Sequence, residues 1–321
     1  MMWLEWYFWL ALALLFALAA FAALRCRPKL RFFRLAHAFG ASVIVGAALI
    51  ALSVAAYLSW WYRGRATALN QDLFPGIRYV RSIDRSPRPI VAHFLVIDLT
   101  RTNISFFVTT PDVAGNPSLK ASTVETFLRT SGVDLAMNAN FFQPFHSNTP
   151  WDYYPHAGDP VQVLGLAAAS GQQYSTHVWA NATLHISSSN KAQLGGTPRE
   201  LWNAISGDQW LIQDGRVVAT NDGFGPYPRA AAALNEEGTS LILVAVDGKQ
   251  PGFSEGVTLP ELAELLTKHG GYNAINLDGG GSVTLVAAGT KGRPTVLNSP
   301  IHTRIPGRQR PVANHLGIRG R

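Results

Sequence analysis

Two long apolar runs open the chain, and the pattern after them alternates on a much shorter period. Trp3 to Leu24 is interrupted only by Glu5, and Phe39 to Tyr62 holds no charged residue. Each reaches the ~20 residues a helix needs to cross a bilayer core. Trp3, Trp6 and Tyr7 at one outer end, and Trp60, Trp61 and Tyr62 at the other, suit the interface, where amphipathic rings settle. The pattern predicts two spanning helices. A cleavable signal peptide is the competing reading of the first run, but it lacks a basic n-region and a second full-length run follows.

Residues 63–75 are polar and mixed, and read as a tether. From Ile77 strand-like runs follow one another: I-R-Y-V-R, I-V-A-H-F-L-V-I-D-L and I-S-F-F-V-T-T, an antiparallel start. Ser122 and Glu125 read as a capping box for a short helix ended by Gly132. The strand-like run D-L-A-M-N-A-N-F-F carries Asn138 and Asn140, and leads into an aromatic, irregular loop over 143–159. Asp214-Gly215, inside W-L-I-Q-D-G-R-V-V-A, reads as a two-residue hairpin turn.

The most informative unit runs from Leu241 to Leu277. L-I-L-V-A-V ends at Asp247, a linker reaches the capping-box pair Thr258 and Glu261, a helix stops at Gly270, and A-I-N-L delivers Asp278. A helical crossover between parallel strands brings Asp247 and Asp278 to the same carboxyl edge, where open sheets bind ligands. Carboxylates one or two strand spacings of ~4.8 Å apart overlap the separation used by glycosidases. The linker adds Lys249, Ser254 and Glu255 on that rim; a solvated polar loop is the bland reading of the same residues.

Three glycines follow Asp278. They let backbone N–H groups turn inward toward an anion, although Asp-Gly between apolar runs also signals a hairpin. No Gly-Lys-Ser/Thr follows, so this is not a P-loop.

Composition changes the picture in two places. Of 321 residues, 47% are hydrophobic and 15% charged, an imbalance explained by the first sixty positions. The net charge of +7 is no nucleic-acid signal, because Arg25, Arg27, Lys29, Arg31 and Arg34 lie between the apolar runs and fix that loop on the cytoplasmic side. Both termini then face outward. Cys26, the only cysteine, sits in the same loop, leaving the exported part without thiol chemistry.

Ordered pieces of the second half are similar to one family. Pro228-Arg229, V-D-G-K-Q-P-G-F-S-E-G-V-T-L-P-E-L-A at 246–263, N-L-D-G-G-G-S at 276–282 and R-P-V-A-N-H-L-G-I at 310–318 resemble the phosphodiester glycosidase family, as does M-N-A-N-F-F at 137–142. The chain departs from it at Asn140, commonly glycine there, and at Ala230, often a hydroxyl residue. The resemblance covers roughly 77–318 and implies hydrolysis of a sugar 1-phosphodiester at the sugar–oxygen bond. Bacterial relatives are often labelled exopolysaccharide-associated, and an anchor suits an envelope glycan.

On this basis Asp278 is expected to face the anomeric carbon as nucleophile or base, with Glu255 or Asp247 as second acid. Arg229 and Arg310 would hold the phosphate, helped by Gly279, Gly280, Gly281 and Ser282, with Asn138, Asn140 and Ser254 nearby. No cofactor is expected. A metal-dependent phosphodiesterase using a divalent cation is a lesser alternative, since His146, His156, His177 and His185 are scattered. An anchored glycan-binding or assembly protein is the rival outside enzymology. The expected architecture is an α+β fold, a mixed sheet with flanking helices over 76–321, behind a two-helix membrane anchor over 1–62. Its expected partners are a phosphorylated glycan and the lipid bilayer, with no nucleic acid, and its expected place is the outer face of a bacterial inner membrane.

Overall fold

Arg229–Leu234 reads R-A-A-A-A-L, and all six residues are buried because both faces of this strand are covered. Ala230, Ala232 and Leu234 belong to one apolar cluster, Ala231 and Ala233 to another, so the period-two alternation divides them between two cores. The strand is central to an eight-stranded sheet in a computed structural model of the chain. That model describes residues 3–25, 31–61, 66–111, 118–176, 182–221, 223–289 and 293–320, without the side chains of 3–8, 23–24, 31–37 and 60–61.

Chain order gives β1 (Leu69–Phe74), β2 (Ile77–Asp84), β3 (Ile90–Asp98), β4 (Gln209–Gln213), β5 (Arg216–Val217), β6 (Arg229–Leu234), β7 (Ser240–Val246) and β8 (Asn273–Leu277). Across the sheet they run β1-β2-β3-β7-β6-β8-β4-β5, every neighbour antiparallel. Because β6 is antiparallel to both β7 and β8, those two run in the same direction with β6 between them. The expected crossover is therefore present, but its strands are two spacings apart.

Four helices are described. α1 (Trp3–Arg25) and α2 (Arg31–Trp61) pack together in one compact unit, residues 1–65; α3 (Val124–Ser131) and α4 (Leu259–Lys268) belong to the second, residues 66–321. The α4 helix lies on one face of the sheet. Its Leu259, Leu262, Leu265 and Leu266 meet Phe94, Ala231, Ala233, Val244 and Ala274. Thr258 and Glu261 form the predicted capping box, and truncating Leu262 to alanine would cost about 2–5 kcal/mol.

The other face packs on a second antiparallel sheet, ordered Pro294–Val296, Leu285–Ala288, Leu135–Asn138, His315–Arg319 and Ser105–Val108. Leu135, Met137, Leu285 and Leu316 fill the space against Leu243, Ala245, Ile275 and Leu277. The α3 helix covers the far side through Val124, Phe127 and Leu128. The second unit is thus a mixed α+β fold, in which α4, the large sheet, the second sheet and α3 form successive layers.

Three expectations change. The 63–75 tether contains β1, whose exposed Asn70, Gln71 and Asp72 suit the edge of the sheet. The cap of α3 is Thr123, which accepts from the Thr126 amide, because Ser122 is engaged in a bridge with Val312. The 143–159 loop is not wholly irregular: His146–Thr149 and Asp152–Tyr154 pair as a small hairpin with Trp151 exposed at its tip. Asp214-Gly215 does form its turn, between paired Gln213 and Arg216.

In the first unit, Ala38–Ser59 of α2 is long and apolar enough to cross a membrane; the described apolar stretch of α1, Trp9–Ala22, is shorter. Among the described residues, length and apolarity thus support one span, and the expected second is not confirmed. Arg27, Lys29, Cys26 and His177, and the side chains of Arg31 and Arg34, fall outside the described residues.

Candidate active site

The segment after β8 is no hairpin. Asp278 leaves the large sheet, Gly280–Ser282 make one 3-10 turn, and the chain enters the second sheet at Leu285, which pairs with Met137. The turn must pass close under an arginine: a Cβ on Gly281 would stand 2.6 Å from the Arg310 guanidinium. Asn138 pins the crossing from both sides. Its Nδ2 donates to the Asp278 carbonyl at 2.6 Å, and its Oδ1 accepts from the Thr284 amide at 3.1 Å.

A cleft of about 270 Å³ opens at this point, lined by Asp278, Gly279, Gly280, Arg229, Arg310, Asp208 and Tyr227, with Phe141, Phe142, Phe145 and Phe224 around them. Arg229 starts β6 at the position cross-strand from Asp278, since Ala230 pairs with Leu277. Its Nε donates to the Val257 carbonyl at 3.4 Å. Arg310 donates from Nη1 to Ser282 Oγ at 3.1 Å and from Nε to His302 Nδ1 at 3.3 Å, and its guanidinium lies 4.4 Å from the Phe145 ring centre. Tyr227 is flanked by cations, with Lys249 Nζ 3.6 Å and the Arg229 guanidinium 5.5 Å from its ring centre.

Burial dominates the electrostatics. It pushes the Asp278 carboxyl up to about 6; Arg310 and a hydrogen bond from Ser282 oppose the rise, and the Asp208 charge adds to it. Asp278 Oδ2 is buried with no hydrogen-bond partner among the described residues. Asp208 is also raised by burial, against hydrogen bonds from Asn276 and Gln209 and the charge of Arg229. Burial, then Arg310 and Arg308, depress His302 to about 3, so it stays neutral and accepts from Arg310.

Not every expected site residue reaches this cleft. Asp247 is 1% exposed and fully engaged: Oδ2 meets His93 Nε2 at 3.0 Å, while Oδ1 accepts from the Ser299 amide at 2.7 Å and Asn298 Nδ2 at 3.1 Å. His93 continues the buried chain to the Tyr79 hydroxyl at 2.7 Å. Ser254 is also consumed, donating to the Asp247 carbonyl and accepting from the Val91 amide. Asn140 spends its side chain on Leu164, Leu166 and Asn314. Glu255 holds the linker through its backbone, to Pro89 and Lys249, and does not line the cleft. The Gly280 amide donates to the Pro228 carbonyl and the Ser282 amide to the Gly279 carbonyl, so two of the four expected cradle donors are already engaged.

The matching sequence model is phosphodiester glycosidase, over residues 131–319, more than half of the chain and including every cleft residue named above. The chain belongs to the phosphodiester glycosidase family. It is 27% identical over 201 residues to N-acetylglucosamine-1-phosphodiester alpha-N-acetylglucosaminidase of Bos taurus, covering 55% of this chain and 35% of the relative. Against the Mus musculus enzyme the identity is 28% over 224 residues, with 63% and 41% covered. The chain therefore spans well under half the length of these curated relatives.

Two solved structures share the fold. The zebrafish N-acetylglucosamine-1-phosphodiester alpha-N-acetylglucosaminidase catalytic domain, auto-inhibited by its pro-peptide, matches at TM-score 0.58 and 23% identity, covering 80% of this chain and 89% of that one. A hypothetical protein from Synechocystis also matches at 0.58, with 16% identity and 80% and 64% covered.

Within this phosphodiester glycosidase fold, sequence reasoning missed Asp208 and Tyr227. Asp208 follows Gly207, where a Cβ would fall 1.9 Å from the Asn276 carbonyl oxygen, so only glycine lets the chain pass β8 that closely. Asn276 Nδ2 then donates to Asp208 Oδ1 at 2.7 Å. The Gly-Asp pair before Q-W-L-I was the available signal.

Proposed function

We propose that this protein hydrolyses a sugar 1-phosphodiester at the glycosidic carbon–oxygen bond, releasing the sugar and a phosphomonoester. The observation that carries the reading is the pairing, in one cleft, of two raised carboxyls with two guanidinium groups. The relatives' names supply the substrate class.

Arg229 and Arg310 take the phosphate, since each offers planar paired donors and together they offset the charge that gathers as it departs. Asp278, ionised above about pH 6, faces the anomeric carbon as nucleophile or as base for water. Asp208 replaces Glu255 and Asp247 as the second acid, because it lines the same cleft and keeps its proton more readily than an exposed carboxyl. The phenylalanines and Tyr227 give the sugar ring an apolar wall. Asn138 and Ser282 are positioning residues: one holds the backbone of Asp278, the other the Arg310 guanidinium.

The working location in this proposal is the outer face of a bacterial inner membrane, on an envelope or exopolysaccharide glycan. The apolar helix Ala38–Ser59 and the arginine-rich segment before it support an anchor with a cytoplasmic loop. The test is free-sugar release by the detergent-solubilised full chain from a panel of sugar 1-phosphodiesters, beside Asp278→Asn, with and without EDTA. Release by the parent alone, indifferent to EDTA, is the expected result. Glycan binding without release from either protein favours a binding role, and EDTA-sensitive cleavage at phosphorus favours a metal-dependent phosphodiesterase.

A further inference from the structure

A second cleft, of about 980 Å³, adjoins the first, and Asp208 lines both. Their chemistry differs sharply. The smaller contains two arginines and two aspartates. The larger contains no lysine or arginine among its described lining residues, and no carboxylate except that of Asp208. Besides Asp208, its polar lining is Gln173, Thr183, His185, Thr197, Gln209 and Gln213, with the half-buried indole of Trp210 between the last two in sequence.

Amide and hydroxyl side chains both donate and accept, which matches the hydroxyl groups of a sugar, and an aromatic ring packs against the C–H face of a pyranose. A phosphorylated or acidic chain would find no lysine or arginine among the described lining residues. The two clefts are joined along one strand: Gln209 donates to Asp208 from the side chain, and β4 carries on to Gln213. From Asp208 to Gln213 an extended strand covers roughly 17 Å, enough for several linked rings.

We infer that the glycosyl part of the substrate is a neutral oligosaccharide rather than a single sugar. Its reducing-end ring sits between Asp208 and Asp278, with the phosphodiester on Arg229 and Arg310, and its remaining rings run away from the phosphate along β4 into the second cleft. This rests on the hydrolysis proposed above. Water adds its hydroxyl to the anomeric carbon, the bond from that carbon to the phosphate oxygen breaks with its electron pair going to phosphate, and the second proton of water ends on phosphate or solvent. The product is an intact oligosaccharide with a free reducing end.

The test uses the full chain in detergent and methyl phosphodiesters of glycosyl 1-phosphates bearing one, two, three or four neutral sugar residues. A rise in kcat/KM of at least tenfold from one residue to three is expected. Gln213→Ala, at an exposed position that leaves the core untouched, should flatten that rise, and Trp210→Ala should flatten it further. In parallel, uncharged malto-, cello- and N-acetylglucosamine oligomers are titrated into Asp278→Asn by tryptophan fluorescence and by NMR.

Equal kcat/KM at all lengths, with no oligomer binding, overturns the inference and leaves hydrolysis standing. A length dependence untouched by both variants overturns its assignment to this cleft. No hydrolysis at any length, with length-dependent oligomer binding lost in Gln213→Ala, removes the hydrolytic reading but supports the cleft as an oligosaccharide site. Neither hydrolysis nor binding overturns both.

Discussion

Asp208 and Asp278 stand at the ends of neighbouring strands, and the charge on Asp208 adds to the burial that lifts Asp278 to about 6. One cleft thus holds two carboxyls that resist being ionised together. The account predicts an acid limb in kcat/KM centred near pH 6, with activity rising as Asp278 loses its proton. Asp208→Asn removes the like charge, so that limb should move to lower pH while the maximal rate falls. A pH–rate profile of both proteins checks this; an unmoved limb would detach Asp208 from Asp278.

The same shift carries a stability cost with a definite sign. Folding raises the Asp278 pKa from its ordinary 3.8 to about 6, so the native state binds the proton more tightly and loses stability as pH rises through that window. At 1.36 kcal/mol per unit the upper bound is about 3 kcal/mol. Asp278→Asn should therefore melt a few degrees higher than the parent at pH 7.5, with the gap shrinking toward pH 4. Calorimetry at the two pH values reads it directly, and a variant that melts lower at pH 7.5 would contradict it.

Asp247 should behave in the opposite way. Its carboxyl is buried among hydrogen bonds to His93, Asn298 and Ser299, and leaving a buried partner unsatisfied costs about 1–3 kcal/mol. Asp247→Asn is expected to lower Tm by several degrees while the folded fraction keeps its kcat. Loss of kcat at unchanged Tm would instead place Asp247 in the chemistry.

Asn138→Ala leaves the Asp278 carbonyl and the Thr284 amide without their partner in a buried site, at about 1–3 kcal/mol each. Both stability and kcat should fall, with KM for the phosphate-bearing substrate less affected than kcat, because Arg229 and Arg310 are held by other contacts. Thermal melts and steady-state kinetics on the same preparation separate the two effects.

Local signals were legible where one short stretch decides the outcome. The Thr258–Glu261 cap, the turn at Asp214-Gly215 and the delivery of Asp278 by a strand all depend on neighbours in sequence. What eluded sequence was decided by distant partners. Asp247 and Asp278 look alike at their strand ends, yet insertion of β6 between β7 and β8 sends one into a polar network and leaves the other in a cleft. Ser122 has a better capping pattern than Thr123, but its pairing with Val312, far along the chain, withdraws it. Asp208 lies outside the strand–helix–strand unit altogether, and reaches the site because β4 joins the sheet beside β8.

The central claim is that the bond broken lies between the sugar carbon and oxygen. Hydrolysis of a sugar 1-phosphodiester by the full chain in oxygen-18 water, with mass spectrometry of both products, tests it most directly. The account predicts the label in the anomeric hydroxyl of the released sugar and none in the phosphomonoester. Label in the phosphomonoester would mean attack at phosphorus, and would contradict the roles assigned to Asp278 and Asp208.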